Sequence, residues 1–563
     1  MKRLLFGGLL LVSLASCRSE NRPVFTWTPY DEAEELAENA AHPSRRMRFK
    51  LIQSQLLDKN ALLQTISRQL EGFTEEDYRR LYPLIYEQDI LTLQEHVQAG
   101  RLSYELITKW YLYRIARYES DRERYLNAVV AINPNAVAEA REKDRQRPER
   151  PHPLYGMPVL VKDNINTAGM PTTAGAHLLR ENWTDDAFII RQIRAHGGII
   201  LGKTNLSEWA NFLFFGGPNG FSAVGGQTLN PYGRRRFDSG GSSSGSGAAI
   251  AANYAVVSVG TETSGSILSP SSQHSLVGLK PTVGLLSRAG IVPISSTYDT
   301  PGPMARTVRD AAILLSAMIG RDPDDPATAQ SPESAAYWEA LAEVQDLKGY
   351  RLGAFQAFLE NPYYQEALDV LRSLGAEVVV FEPPKVDLDG FGEVLAADMK
   401  TDLPRYLARY AAAPYRSLTV AEIVAYNRAD SARRIPYGQG RFAQMLTVSL
   451  SPEELAARKQ RLHDEAVRFF EEPMQQHRLD AVLSINNWHA RPAALAHYPA
   501  LTVPIGLQES GEPIGLTFIA RSFEEALLLR MGYAFEQAMQ GRVPPSAYAL
   551  DAEGQERNRA PAS

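Results

Sequence analysis

Cysteine is almost absent from the 563-residue chain: Cys17 is the single one. One thiol excludes an internal disulfide framework and any cysteine-rich metal site. Long apolar runs are missing as well, none reaching the roughly 20 residues that a membrane-spanning helix needs. Nor is there a long stripe of lysine and arginine. The formal charge is −6, and Arg234-Arg235-Arg236 is short enough to read as a solvated loop. Nucleic acid and anionic surfaces therefore have no electrostatic footing as partners. No internal repeat is visible. What is present is an ordinary globular composition, 44% hydrophobic and 22% charged, in a chain long enough for several domains or one large domain with extensions.

The position of the lone cysteine is informative. Lys2 and Arg3 precede an apolar run from Leu4 to Leu14, and small residues lead to Cys17, which is the layout of a secretory signal. Leu14-Ala15-Ser16-Cys17 also resembles the bacterial lipobox, whose cysteine is acylated and becomes the new N-terminus. The expectation is a cleaved leader (1–16) and an exported lipoprotein held at the cell envelope by acyl chains on Cys17, anchored to a membrane without spanning it. Residues 17–30 are polar and proline-bearing, as a tether would be. A helical extension is expected over 31–84, one large folded domain over 85–545 and a polar tail over 546–563.

Hydrophobic spacing predicts the fold class. Phe49, Ile52, Leu56, Leu63, Ile66 and Leu70 recur near the helical period, and Ser103 can cap a helix containing Leu106, Trp110, Leu112 and Tyr113. From about residue 125, short β-branched runs alternate with helical stretches: Val129 to Ile132, Val159 to Val161, Ile199 to Leu201, Val256 to Val259 and Val378 to Val380. That alternation predicts an α/β domain, a mixed sheet flanked by helices. A helical block over about 386–478 interrupts it before Ala481-Val482-Leu483 resumes the pattern.

Within this body GGSSSGSGAA (240–249) has the composition of a flexible linker. Its continuation excludes that reading, because Ala249 to Ala252 suit a buried helix and Val256 to Val259 a buried strand. A helix out and a strand back would bring Ser242 and Ser266 to the same end of the excursion. Both serines sit in glycine-rich turns, where backbone N–H groups can converge on a developing negative charge. A serine nucleophile needs a base within reach. Lys162, at the inner end of the apolar run Val159 to Val161, is the candidate. Pairing with Asp163, or snorkelling to solvent, is the structural alternative.

The segments GMPVLVKDNINTAGMPTTAGA, LGKTNLSEWANF, GGSSSGSGAAIAAN, GTETSGSILSP and GLKPTVGLLSRAGIVPISSTYDTPGPMARTVRDA together resemble the amidase signature family over about residues 85–540. VAYNRADSARRIPYGQGRF and HYPALTVPIGL are similar to its bacterial peptide amidases, which remove the C-terminal amide of peptides. The resemblance implies a single large amidase-signature domain and a triad of Ser266 as nucleophile, Ser242 as bridging serine after a cis peptide at Gly241–Ser242, and Lys162 as base. It also implies an oxyanion hole from the N–H groups of Thr263, Ser264, Gly265 and Ser266, with neither metal nor organic cofactor and no obligate protein partner. To act as a base Lys162 must be neutral, so its pKa should fall from about 10.4 toward roughly 7 to 8 through burial.

The chain departs from many family members at two places: Ser264 precedes Gly265, and Leu268 stands where an arginine is common. Residues 486–499 also look shorter than in the peptide amidases. Reaction type is thus better marked than substrate. The alternatives are a fatty-acid or other small amide hydrolase of the same family and the amidating subunit of a tRNA amidotransferase, against which the leader argues. A non-catalytic binding protein is disfavoured because the three side chains are all present. Gly241-Ser242-Ser243-Ser244-Gly245 also satisfies G-x-S-x-G, the esterase nucleophile elbow with Ser243 as nucleophile and a histidine as base, although no strand pattern precedes it. Lys203, Glu208 and Trp209 read as scaffold or pocket wall, His177 and Asp163 as loop-orienting groups, and Phe212, Phe214 and Phe215 as core or acyl-pocket aromatics.

Overall fold

The computed structural model describes residues 22–550. Cys17, the leader and the end of the polar tail lie outside the described residues. Among the described residues, no helix is long and apolar enough to cross a membrane. The strands, in chain order, are β1 (Val129–Ile132), β2 (Pro158–Lys162), β3 (Ile199–Thr204), β4 (Phe221–Ser222), β5 (Gly226–Gln227), β6 (Val257–Glu262), β7 (Val277–Lys280), β8 (Thr300–Ala305), β9 (Arg351–Phe355), β10 (Glu377–Phe381), β11 (Ala481–Ile485), β12 (Ala500–Leu507) and β13 (Pro513–Ile519). Apart from the small β4–β5 pair, they form one sheet in the order β1-β3-β2-β6-β8-β7-β12-β13-β11-β9-β10.

The sheet is mixed, as expected. β3, β2 and β6 run parallel, as do β11, β9 and β10, while the strands between these groups pair antiparallel. Every residue of β2 is buried, which explains why PVLVK reads as a continuous apolar run instead of an alternating one. The helix Ser244–Ala251 packs on β2 and β6 and is buried throughout. Its small side chains let it approach closely: a Cβ on Gly245 would stand 2.5 Å from the Asn205 carbonyl oxygen and 2.6 Å from that of Ala128. The linker-like composition is a packing solution.

Two clusters of buried apolar side chains organise the rest. The larger joins the N-terminal helices to the sheet. The second joins the helical block after β10, including the helices Phe391–Tyr410, Gly440–Thr447 and Pro452–His477, to Trp209, Phe212 and Leu268 beside the site. Local signals set several helix ends. Ser103 Oγ accepts from the Leu106 N–H at 3.1 Å, and Ser451 with Glu454 forms a capping box ahead of Pro452.

One helical expectation fails. Residues 48–58 are irregular, and the helix carrying Leu63 and Ile66 starts only at Lys59. Phe49 and Ile52 are buried, but their backbone is bonded elsewhere. The Ile52 and Gln53 N–H groups donate to Glu32 at 3.0 and 2.8 Å, and the Ile52 carbonyl accepts from Gln227 N at 2.9 Å. Long-range partners took the groups that a helix would have paired locally.

Candidate active site

Lys162 closes β2, and β6 beside it leads into the turn that carries Ser266. The Lys162 side chain is fully buried. Its Nζ donates to Ser242 Oγ at 2.7 Å, to Thr261 Oγ1 at 2.8 Å and to the Thr261 carbonyl at 3.0 Å. No carboxylate is among these partners. Burial therefore dominates and pulls the Lys162 pKa down to about 7, against smaller opposing contributions from Asp299 and Glu262. The structural alternative, pairing of Lys162 with Asp163, does not occur. Asp163 is bound by Lys203 at 3.2 Å and by the Thr173 hydroxyl.

Ser242 is fully buried and follows a cis peptide at Gly241–Ser242. Ser243 N donates to the Ser266 carbonyl at 3.2 Å, so the helix–strand excursion does bring the two serine turns together. The Ser266 hydroxyl makes no hydrogen bond to any described residue; Ser266 instead lines an open cavity of about 390 Å³. The Lys162 amine is buried, and Ser266 meets the cavity.

The turn around Ser266 is shaped by Glu262. This carboxylate accepts the N–H groups of Gly265 at 2.6 Å, Ile267 at 2.7 Å and Leu268 at 3.0 Å. Gly265, at φ +92°, is thereby withdrawn from the oxyanion set expected from the sequence: its N–H points at an anion already present. Thr263, Ser264 and Ser266 line the cavity. Thr263 sends its hydroxyl to Asp299 at 2.6 Å, a buried carboxyl raised to about 6 chiefly by desolvation.

The esterase-elbow alternative is not compatible with this arrangement. Ser243 is fully buried and its Oγ donates to the Thr261 carbonyl at 3.1 Å, the residues before it form no strand, and no histidine is among the cavity-lining residues. Lys203 and Glu208 prove to be buried scaffold: Glu208 accepts from Ala223 N at 2.8 Å, and its carboxyl is raised well above the usual range by desolvation. His177 pairs with the Tyr426 hydroxyl at 2.8 Å. Of the aromatic run, Phe212 lines the cavity and Phe214 is buried, whereas Phe215 is exposed.

Several cavity residues were not anticipated from the sequence. Arg46 arrives from the N-terminal extension, the loop Leu388–Gly392 from the start of the helical block, Arg441 from its middle and Arg491 from the segment after β11. Arg441 had a local signal, in that it directly follows the glycines of YGQGR. The others had none, since their proximity exists only in the folded chain.

The chain matches the family described as Amidase over residues 107–529. It is 37% identical to a probable amidase of Arabidopsis thaliana over 483 residues, covering 83% of this chain and 92% of that one. Among solved structures, it is similar to an amidase family protein from Bacillus anthracis (TM-score 0.83, 38% identity, 88% and 99% of the two chains). It is likewise similar to the peptide amidase from Stenotrophomonas maltophilia (TM-score 0.75, 39% identity, 82% and 98%).

Proposed function

The chain belongs to the amidase family, and from that premise we propose that it removes the C-terminal amide of peptides through Ser266, Ser242 and Lys162. It is an enzyme that hydrolyses amides. The observation that carries the finer reading is the 2.7 Å contact of a carboxylate-free, fully buried Lys162 with Ser242, whose neighbour Ser243 donates its N–H to the carbonyl of the cavity-lining Ser266. A lysine whose pKa burial pulls down to about 7 can reach its neutral form near neutral pH, which matches a general base to its task.

In the proposed cycle the Lys162 lone pair takes the Ser242 proton while Ser242 takes that of Ser266, and Ser266 Oγ attacks the amide carbon. The carbonyl oxygen becomes an oxyanion beside the backbone of Thr263, Ser264 and Ser266. The relay then reverses, protonating the amide nitrogen so that ammonia leaves, and water hydrolyses the acyl-enzyme. The Ser266–Ser242 hydrogen bond must form for the first step. Catalytic hydrogen bonds commonly close only when substrate is bound.

Two observations favour a peptide over a fatty acyl chain. The cavity wall carries Arg46, Asp389, Arg441 and Arg491, a poor match for a long hydrocarbon. Similarity to the peptide amidase from Stenotrophomonas maltophilia extends over 82% of the chain. Ammonia release from peptide amides, fatty amides and free amino acid amides tests the reading: peptide amides should be cleaved best, and Ser266→Ala should abolish turnover. Cleavage of lipid amides alone, or an active Ser266→Ala variant, would refute it.

We also propose export and acylation at Cys17, on the strength of the leader pattern. Labelled palmitate should enter the native protein and not Cys17→Ser; an unlabelled native protein would remove the proposal.

A further inference from the structure

The guanidinium of Arg441 is an anomaly at the site. It is half-buried, yet among the described residues it has neither an ion-pair partner nor a hydrogen-bond acceptor for its side chain. It lies over the rings of Phe215 and Phe212, with centroids 4.3 and 5.1 Å away. Burial lowers its pKa from the usual arginine value with no carboxylate to offset the shift. The chain makes room for it. A Cβ on Gly392 would stand 3.1 Å from Arg441 Nη1, and a Cβ on Gly440 would stand 2.6 Å from the Phe215 ring that supports it.

Arg441 does not stand alone. Arg491, exposed and likewise without an ion-pair partner among the described residues, lines the same cavity as Ser266. Arg46 also lines it, but leans toward Asp238 at 4.0 Å. Asp389 is the one carboxylate on the wall, so the wall holds more cationic than anionic groups. Stacking on the rings offsets only part of the hydration that a half-buried guanidinium gives up, and with no counter-ion paired to it among the described residues an anionic ligand completes the compensation. A guanidinium accepts a carboxylate through two parallel N–H···O bonds.

We infer that Arg441, assisted by Arg491, binds a carboxylate of the substrate, making this a hydrolase selective for acidic carboxamides. The inference rests on the reading of Ser266 as the nucleophile in this cavity. The carboxylate can come from an acidic side chain of a peptide amide or from the free C-terminus of a peptide whose side-chain amide is cleaved. Both present a carboxylate and a carboxamide on one small acyl unit.

The test separates binding from turnover. Calorimetry on the Ser266→Ala protein compares acetyl-Gly-Glu-NH2, its neutral counterpart acetyl-Gly-norvaline-NH2, and acetyl-Gly-Gln with a free C-terminus. At least one acidic ligand should bind roughly tenfold tighter than the neutral one, the scale of a charge-assisted contact, and the margin should shrink as salt is raised. Adding Arg441→Gln should bring the ratio to within about twofold, and Arg441→Lys should retain part of it. Arg491→Gln, at an exposed position, should lower the ratio without the folding risk of the stacked site.

Which acidic ligand wins identifies the source of the carboxylate. Equal affinities for all three, no binding of any, or a preference untouched by Arg441→Gln and Arg491→Gln would overturn the inference. Equal hydrolysis of the acidic and neutral peptide amides by the native protein would overturn this inference and leave the peptide-amide reading standing, whereas acidic ligands that bind preferentially but are not hydrolysed would overturn both the peptide-amide reading and the acidic selectivity.

Discussion

Two lysines, 162 and 203, lie fully buried at the ends of adjacent parallel strands, Lys162 pairing in register with Thr204 and Val161 with Lys203. Their surroundings are opposite in kind. Lys203 is caged by Asp163 at 3.2 Å, the Ile165 carbonyl at 2.6 Å and Thr172 Oγ1 at 3.0 Å. Lys162 has two hydroxyls and one carbonyl, and no carboxylate. Desolvation lowers both amines, but Asp163 pulls back on Lys203 through charge and a hydrogen bond. Burial beside a counter-ion opposes the shift at Lys203, whereas burial without one favours the neutral amine that the proposed base requires. One site spends its carboxylate on holding the loop after β2, and the neighbouring site withholds it.

The sharpest way to break this contrast is to replace each amine with methionine. Lys162→Met should lower kcat/KM by about 10³-fold, within the range of a lost general base, while leaving thermal stability unchanged or raised, because it removes a desolvated amine that gains no ion pair. Lys203→Met should do the reverse. It leaves Asp163 buried with only Thr173 as partner, at a cost of about 3 to 5 kcal/mol in stability, read as a fall in denaturation midpoint. Activity per folded molecule should suffer less than in Lys162→Met. Comparable activity losses in both variants, at equal folded fraction, would erase the distinction.

The legibility of this arrangement in sequence was uneven for physical reasons. β2 and β6 were visible because strands buried on both faces must be continuously apolar, and the two serine turns were visible because close backbone approach demands glycine. Lys162 stood out as a cation at the end of such a run. The partner of Asp163 could not be read, since Lys162 and Lys203 both follow short apolar runs and only the register of β2 against β3 brings Lys203 to it. Residues 48–58 were misread because periodicity cannot reveal that Glu32 and Gln227 claim the backbone. The commitment of Gly265 N–H to Glu262 was equally hidden, although the glutamate lies three residues away. Arg46 and Arg491 reach the cavity by tertiary packing alone.

A smaller change should tune the base instead of removing it. The acid limb of kcat/KM should have its midpoint near 7, set by Lys162, with activity rising as pH rises because the neutral amine is the working form. Thr261 Oγ1 accepts from Lys162 at 2.8 Å and also from Asn164 Nδ2 at 3.0 Å. As an acceptor it favours the ammonium, so Thr261→Val should favour the neutral amine and move the limb to lower pH. A hydrogen bond to a charged group is worth about 1.5 to 3 kcal/mol, and one pKa unit corresponds to about 1.4 kcal/mol, so a shift of about one unit is expected. The Thr261 carbonyl remains as a partner and limits the shift. The variant should therefore lose ground mainly in alkaline buffer, where the wild-type amine is already neutral, and recover it in relative terms toward pH 6. A limb that moves upward would mean that the Thr261 hydroxyl serves the neutral amine as a donor, and the contrast with Lys203 would then rest on the missing carboxylate alone.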